Sequence, residues 1–174
     1  MCEYELSERY QRRTQRWLRE AKRAANKTFS ALDQSGFSRP CNAALAKLQQ
    51  DSDWAHHADN VLLIGPSGTG KTHIANALGH QLTEQGVRCK LFPAIALVQH
   101  LQQAKRDLDL MTAMTRLDKY RVIIIDDIGY VKKTDAETQV LFEFIAHRYE
   151  SGSLIVTANQ PFSEWEQVLP ESIS

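Results

Sequence analysis

The sequence predicts an α/β fold of the doubly wound kind, a parallel sheet with helices on both faces. Three observations carry this. From residue 60 onward, short apolar runs alternate with segments of helical period. Four of those runs, NVLLI (60–64), RCKLF (88–92), RVIIID (121–126) and SLIVTA (153–158), are rich enough in apolar and β-branched residues to fit strands covered on both sides. The first run passes through a glycine-rich segment, GPSGTGKT (65–72), directly into a helical pattern.

The elements follow in order. Residues 5–25 read as a helix, with Leu6, Tyr10, Trp17, Leu18, Ala21 and Ala25 at helical spacing and arginines on the other faces. Residues 26–40 are turn-rich and read as a linker, and a short helix over roughly 41–50 precedes the polar DSDWAHHADN. This divides the chain into an N-terminal basic helical region with linker, 1–50, and an α/β core that carries the glycine-rich segment, 51–174. Helices are predicted at about 70–85, 93–106, 107–118 and 134–150. The first buries Ile74, Leu78 and Leu82 and stops at Gly86. Thr134 and Glu137 have capping-box spacing ahead of Val140, Leu141, Phe144 and Ile145, and Gly152 closes that last helix.

Composition sets the bounds. The 174 residues carry 43% apolar and 24% charged residues at zero net charge, ordinary values for a soluble globular chain. Overall charge therefore argues for no polyanionic partner, yet residues 1–27 hold eight Lys/Arg against four Asp/Glu. Cys2, Cys41 and Cys89 lack metal-ligand spacing and read as free thiols in a reducing compartment. There is no signal peptide and no apolar run of membrane-spanning length, so the expected location is the cytoplasm, with no membrane partner.

GPSGTGKT fits G-x-x-x-x-G-K-[ST] in the required strand–helix context. Small residues let successive backbone N–H groups turn inward around phosphate oxygens, and the helix N-terminus adds positive potential. Gly65, Pro66, Ser67, Gly68, Thr69, Gly70, Lys71, Thr72 and His73 are thus the candidate ATP-binding residues. Lys71 would face the β- and γ-phosphates, and the Thr72 hydroxyl would ligate Mg²⁺. A phosphate loop of this type needs an acid on a neighbouring strand. VIIIDD supplies Asp126 for the metal and Asp127 to orient or deprotonate water. LIVTANQP ends a third strand with Asn159, a candidate to hydrogen-bond the lytic water or the γ-phosphate, although Asn-Gln-Pro is also a plain strand-to-loop turn.

With these elements in this order, the chain resembles the AAA+ ATPases, in particular the branch of IstB-like ATP-binding proteins of insertion-sequence transposition and DnaC-like helicase loaders. The resemblance rests on GPSGTGKTH (65–73), IIIDDIGY (123–130), RYESGSLIVTANQPFSEW (148–165) and RRTQRWLREAK (12–22). It implies a P-loop NTPase sheet of order 5-1-4-3-2, a sensor role for Asn159, and assembly into homo-oligomers with ATP between subunits. It also implies double-stranded DNA and a transposase, or a replicative helicase, as partners. Two departures stand out. The second acidic position is Asp127 where the wider family has Glu, which suggests slow turnover. The chain ends at Ser174, before the family's arginine finger, fifth strand and helical lid. The resemblance therefore implies a first strand left as an open edge and an ATPase that is weak or inactive in this chain.

For DNA, the N-terminal helix offers Arg9, Arg12, Arg13, Arg16, Arg19 and Arg23, a row able to neutralise phosphates without reading sequence. Lys105 and Arg106, with Arg116, Lys119 and Arg121, lie in a segment resembling a helical insertion that touches DNA, interspersed with Asp107, Asp109 and Asp118. A solvated mixed-charge surface is the plainer reading there. Two further readings stay open, a small P-loop kinase and a catalytically inactive binding module.

Overall fold

A computed structural model describes residues 2–21, 26–130, 134–149 and 151–159. In chain order it contains α1 (Cys2–Glu20), a 3₁₀ turn (Phe29–Ala31), α2 (Arg39–Gln50), α3 (Asp53–His56), β1 (Val61–Ile64), α4 (Lys71–Glu84) and β2 (Cys89–Pro93). Then follow α5 (Ala94–Arg106), α6 (Leu110–Leu117), β3 (Val122–Asp126), a second 3₁₀ turn (Ile128–Tyr130), α7 (Asp135–Arg148) and β4 (Ser153–Ala158). The sheet order is β1-β4-β3-β2, with every pair parallel. This is the 1-4-3-2 part of the order the resemblance implies. Among the described residues β1 pairs with β4 alone, and Leu62 and Ile64 are exposed.

Strand alternation sorts the core into two layers. Val122 and Ile124 of β3 and Ile155 of β4 face α4 and α2, together with Ile74, Leu78, Leu82 and Leu45. Ile123 and Ile125, with Leu154, Val156 and Ala158, face α5, α6 and α7, meeting Leu97, Leu101, Met114, Val140 and Phe144. Phe29, Leu32, Phe37, Cys41 and Leu48, from the stretch read as linker and short helix, pack on the same apolar cluster as β1 and α4.

Helix ends behave as their sequences direct. Gly86 takes φ +87°, while Val87 N–H reaches Leu82 O (2.8 Å) and Gly86 N–H reaches Thr83 O (3.1 Å), the paired bonds of a Schellman cap. Thr134 Oγ1 caps α7 at Glu137 N and donates to Glu137 Oε2 at 2.8 Å. The helix predicted at 107–118 begins later, at Leu110, because Leu108 takes φ +56° and closes α5 with the same two bonds, Asp109 N to Ala104 O and Leu108 N to Lys105 O.

Two arginines tie the amino ends of the strands. Arg148, 2% exposed, donates to the carbonyls of Tyr120 (2.9 Å) and Arg121 (3.0 Å) and pairs with Asp118 at 3.5 Å. Burial pulls its pKa down, and Asp118 opposes that. Gly152 lies against it for a steric reason: a Cβ there would fall 2.1 Å from Arg148 Nη2. Arg121, read from the sequence as a cation for DNA, instead spends its guanidinium on the carbonyls of Ala55, His56 and Ser151.

Candidate nucleotide site

The carboxyl end of β1 turns into the phosphate loop with Gly65 N–H bonded to Ala158 O at 3.2 Å, so the end of β4 fixes where the loop begins. Gly68 and Gly70 adopt φ of +80° and +87°, a conformation that costs a residue with a Cβ about 1–2 kcal/mol. The loop is held from within: Thr69 Oγ1 and Lys71 Nζ both donate to Pro66 O, at 2.8 and 2.7 Å. Lys71 is buried at the first position of α4, with its ammonium held back against the loop by Pro66 O.

The acids meet this loop through hydroxyls. Thr72 Oγ1 donates to Asp126 Oδ1 at 3.0 Å, and Thr157 Oγ1 donates to the same oxygen at 2.6 Å. Asp127 N–H donates to Thr157 Oγ1 at 2.8 Å, and Asp127 itself has φ +60°. Burial raises the Asp127 pKa, the Asp126 carboxylate raises it further, and Lys71 opposes both. Asn159 follows Ala158 directly and is half-buried, beside the point where β4 anchors Gly65.

The structure thus brings together Gly65 to Thr72, Asp126, Asp127 and Asn159. His73 points elsewhere: its Nε2 bonds Thr28 O at 2.8 Å, pinning the segment before α2 to α4. Phe37 and Leu32 from that segment lie 3.7 and 3.9 Å from where a Gly70 Cβ would stand. A cavity of about 920 Å³ opens beside the loop, lined by Pro66, Thr69 and Lys71 together with Phe37, Trp54 and Ile64. Thr157 is the site residue that sequence reasoning missed. Its signal is register, since it continues the β3–β4 pairing opposite Asp126.

Among the described residues no group of three or more His, Cys, Asp or Glu side chains could enclose a metal. Thr72 and Asp126 nevertheless suit Mg²⁺, a hard ion usually held by one or two protein oxygens together with substrate phosphates. The Thr72 proton is committed to Asp126, which leaves the hydroxyl lone pairs available to a cation.

The basic candidates lie on other elements. Helix α1 docks through Tyr10 Oη to Glu84 O (2.7 Å), Arg88 to Glu20 (2.5 Å) and Leu91 N–H to Ala21 O (3.1 Å). Arg13 stacks over the rings of Tyr10 and Trp17, at 5.3 and 5.0 Å from their centroids. Arg12 pairs with Glu8 and Arg16 with Glu20, and Arg9, Arg12, Arg13, Arg16 and Arg19 all keep contact with solvent. Arg23 lies outside the described residues. Lys105 pairs with Glu143 at 2.7 Å, and Arg106 donates to Gln103. No helix among the described residues is long and apolar enough to cross a membrane.

This fold and this loop define a P-loop domain of the AAA+ kind. Its neighbours among solved structures include the replication initiator DnaA bound to AMPPCP and single-stranded DNA, with TM-score 0.72, 13% identity, and 86% of this chain and 46% of that one covered. The DnaC helicase loader aligns with TM-score 0.65 and 21% identity, over 79% of each chain. Within that class, the chain belongs to the IstB-like ATP binding proteins, whose family pattern it matches over residues 1–173. It is 42% identical over 171 residues to an insertion sequence ATP-binding protein of Sinorhizobium fredii, covering 98% of this chain and 57% of that protein. It is 33% identical over 172 residues to the insertion sequence IS21 ATP-binding protein of Pseudomonas aeruginosa, covering 97% of this chain and 63% of that one. The chain therefore spans roughly three-fifths of the length of these relatives.

Proposed function

We propose that the protein binds and hydrolyses ATP with Mg²⁺ and uses that cycle to deliver a transposase to double-stranded DNA. The observation that carries the ATPase part is the contact of Thr72 with Asp126, which joins the phosphate loop to the acidic strand end. In this reading the backbone N–H groups of Ser67 to Thr72 and the Lys71 ammonium bind the triphosphate. Thr72 and Asp126 hold Mg²⁺, which neutralises phosphate charge when bound. Asp127 accepts a proton from the attacking water, and its raised pKa makes it a stronger base than an ordinary aspartate. Asn159 orients that water or the γ-phosphate. Residues 1–50 serve as the basic helical region, and the core from 51 onward carries the nucleotide.

The solvent-facing arginines of α1 support contact with DNA phosphates, and the company of insertion-sequence proteins supports a transposase as partner. The likeness to DnaC is one of fold, so helicase loading has no separate observation in its favour. The reading also includes homo-oligomers with ATP at the subunit interface. Hydrolysis measured with and without duplex DNA, on the protein and on Lys71→Ala, tests it. Phosphate release that needs Lys71 and rises with duplex is the expected result. Transfer of phosphate to a small metabolite instead of water would replace this reading by a kinase.

A further inference from the structure

The two acids at the end of β3 present a geometric problem. In an extended strand, successive side chains point to opposite faces, so Asp126 and Asp127 should look away from one another. Asp126 follows the pattern: it shares strand parity with Val122 and Ile124, which face α4, and its carboxylate accepts from Thr72 of that helix. Asp127 breaks it by adopting a left-handed backbone at φ +60°, a conformation that aspartate tolerates better than most residues with a Cβ but that still costs energy. That turn keeps its carboxyl within electrostatic reach of both Asp126 and Lys71.

We propose that Thr157 is the positioning residue that imposes this turn and locks the two acids as a unit. Its one hydroxyl donates to Asp126 Oδ1 at 2.6 Å and accepts the Asp127 N–H at 2.8 Å. The side chain is fully buried on β4, so it has no water to exchange with. The β3–β4 register, continued by one residue, sets it directly opposite Asp126. A β-branched residue in a strand also holds few χ1 states, so the hydroxyl stays aimed. The same Asp126 oxygen accepts Thr72, so a single chain of hydroxyls runs from the phosphate loop through Asp126 to the backbone of Asp127. Through it, filling the loop is felt by the acid that handles water. Valine fills the same volume and makes neither bond, and serine keeps both.

This inference rests on the ATPase reading for its consequence, and its test separates the two. In the wild-type protein, Thr157→Val and Thr157→Ser, three quantities are measured: amide hydrogen exchange at Asp127, ATP·Mg²⁺ affinity, and hydrolysis. Thr157→Val should exchange the Asp127 amide at least tenfold faster, bind ATP·Mg²⁺ within about threefold of wild type, and lose at least tenfold in hydrolysis. Thr157→Ser should restore all three. A wild-type exchange rate at Asp127 in Thr157→Val would overturn the proposal. So would a Thr157→Ser protein that folds yet behaves like the valine variant. A fall in nucleotide affinity as large as the fall in turnover would reduce Thr157 to support of Asp126 alone. If the wild-type protein turns over no ATP, the hydrolytic reading fails, and amide exchange still decides whether Thr157 holds Asp127.

Discussion

Gly152→Ala should be among the most damaging single-methyl additions in the described part of the chain. The added Cβ would stand 2.1, 2.4 and 2.9 Å from Nη2, Cζ and Nη1 of Arg148. A guanidinium can usually swing aside, but this one is 2% exposed and bonded to the Tyr120 and Arg121 carbonyls at 2.9 and 3.0 Å. Displacing it breaks two charge-assisted bonds of about 1.5–3 kcal/mol each. Breaking a buried pair by removing one partner costs about 3–5 kcal/mol by comparison. The lower entropy of an unfolded alanine chain returns about 0.4–1 kcal/mol. The net destabilisation is about 2–4 kcal/mol, or a fall of about 5–15 °C in Tm for a chain of this size. Thermal unfolding followed by circular dichroism measures it. Because the cost runs through Arg148, Gly152→Ala should add almost nothing in an Arg148→Ala background. Gly152 sits just before Ser153, at the far end of β4 from Ala158, so ATP affinity should hold. A destabilisation below about 1 kcal/mol, or simple additivity with Arg148→Ala, would mean that the cost does not run through the guanidinium.

Leu108→Gly should stabilise the protein by about 0.5–1 kcal/mol in chemical denaturation, since it relieves a left-handed leucine that is 96% exposed, less the entropy of a new glycine. Asp127→Asn should raise Tm at pH 7 while removing hydrolysis. A carboxyl whose folded pKa is raised destabilises the fold above that pKa and contributes nothing below its unfolded value. The gain should therefore shrink as the pH is lowered toward the ordinary aspartate range, and wild-type turnover should have an acid limb above that range. Replacing Arg9, Arg12, Arg13 and Arg16 by Ala should weaken duplex binding for all sequences alike, with the log–log salt slope falling by about 0.9 for each phosphate no longer neutralised. An unchanged slope would assign this face of α1 to a protein partner.

Most of the sheet was legible because each strand is a short segment dominated by apolar and β-branched residues between helical patterns. Predicted and observed ends of the four strands differ by one residue or none. The phosphate loop and Asp126 were legible for a related reason: charge and glycine at the tip of a buried strand have few uses. What escaped the sequence depends on register and on close approach. Thr157 reads as one more β-branched strand residue until β3 and β4 are aligned. Arg121 reads as a surface cation until the Ala55 and His56 carbonyls are placed over it. Gly152 reads as a helix terminator, whereas its main constraint is the guanidinium packed against its Cα. The stretch 26–40 reads as linker because it is rich in turn residues, yet its Leu32 and Phe37 pack against the loop glycine Gly70.

If nucleotide and DNA act on one machine, as proposed, their linkage is measurable without turnover. Coupling between two ligands is reciprocal, so ATP must tighten DNA binding by the factor by which DNA tightens ATP binding. The deciding experiment is duplex affinity at fixed salt, with and without saturating ATP·Mg²⁺, for the wild-type protein, Lys71→Ala and Asp127→Asn. Duplex binding should tighten with ATP in wild type and in Asp127→Asn, where ATP stays bound and unhydrolysed, and nucleotide should have no effect in Lys71→Ala. Duplex affinity that ignores ATP in the wild-type protein would contradict the proposed coupling.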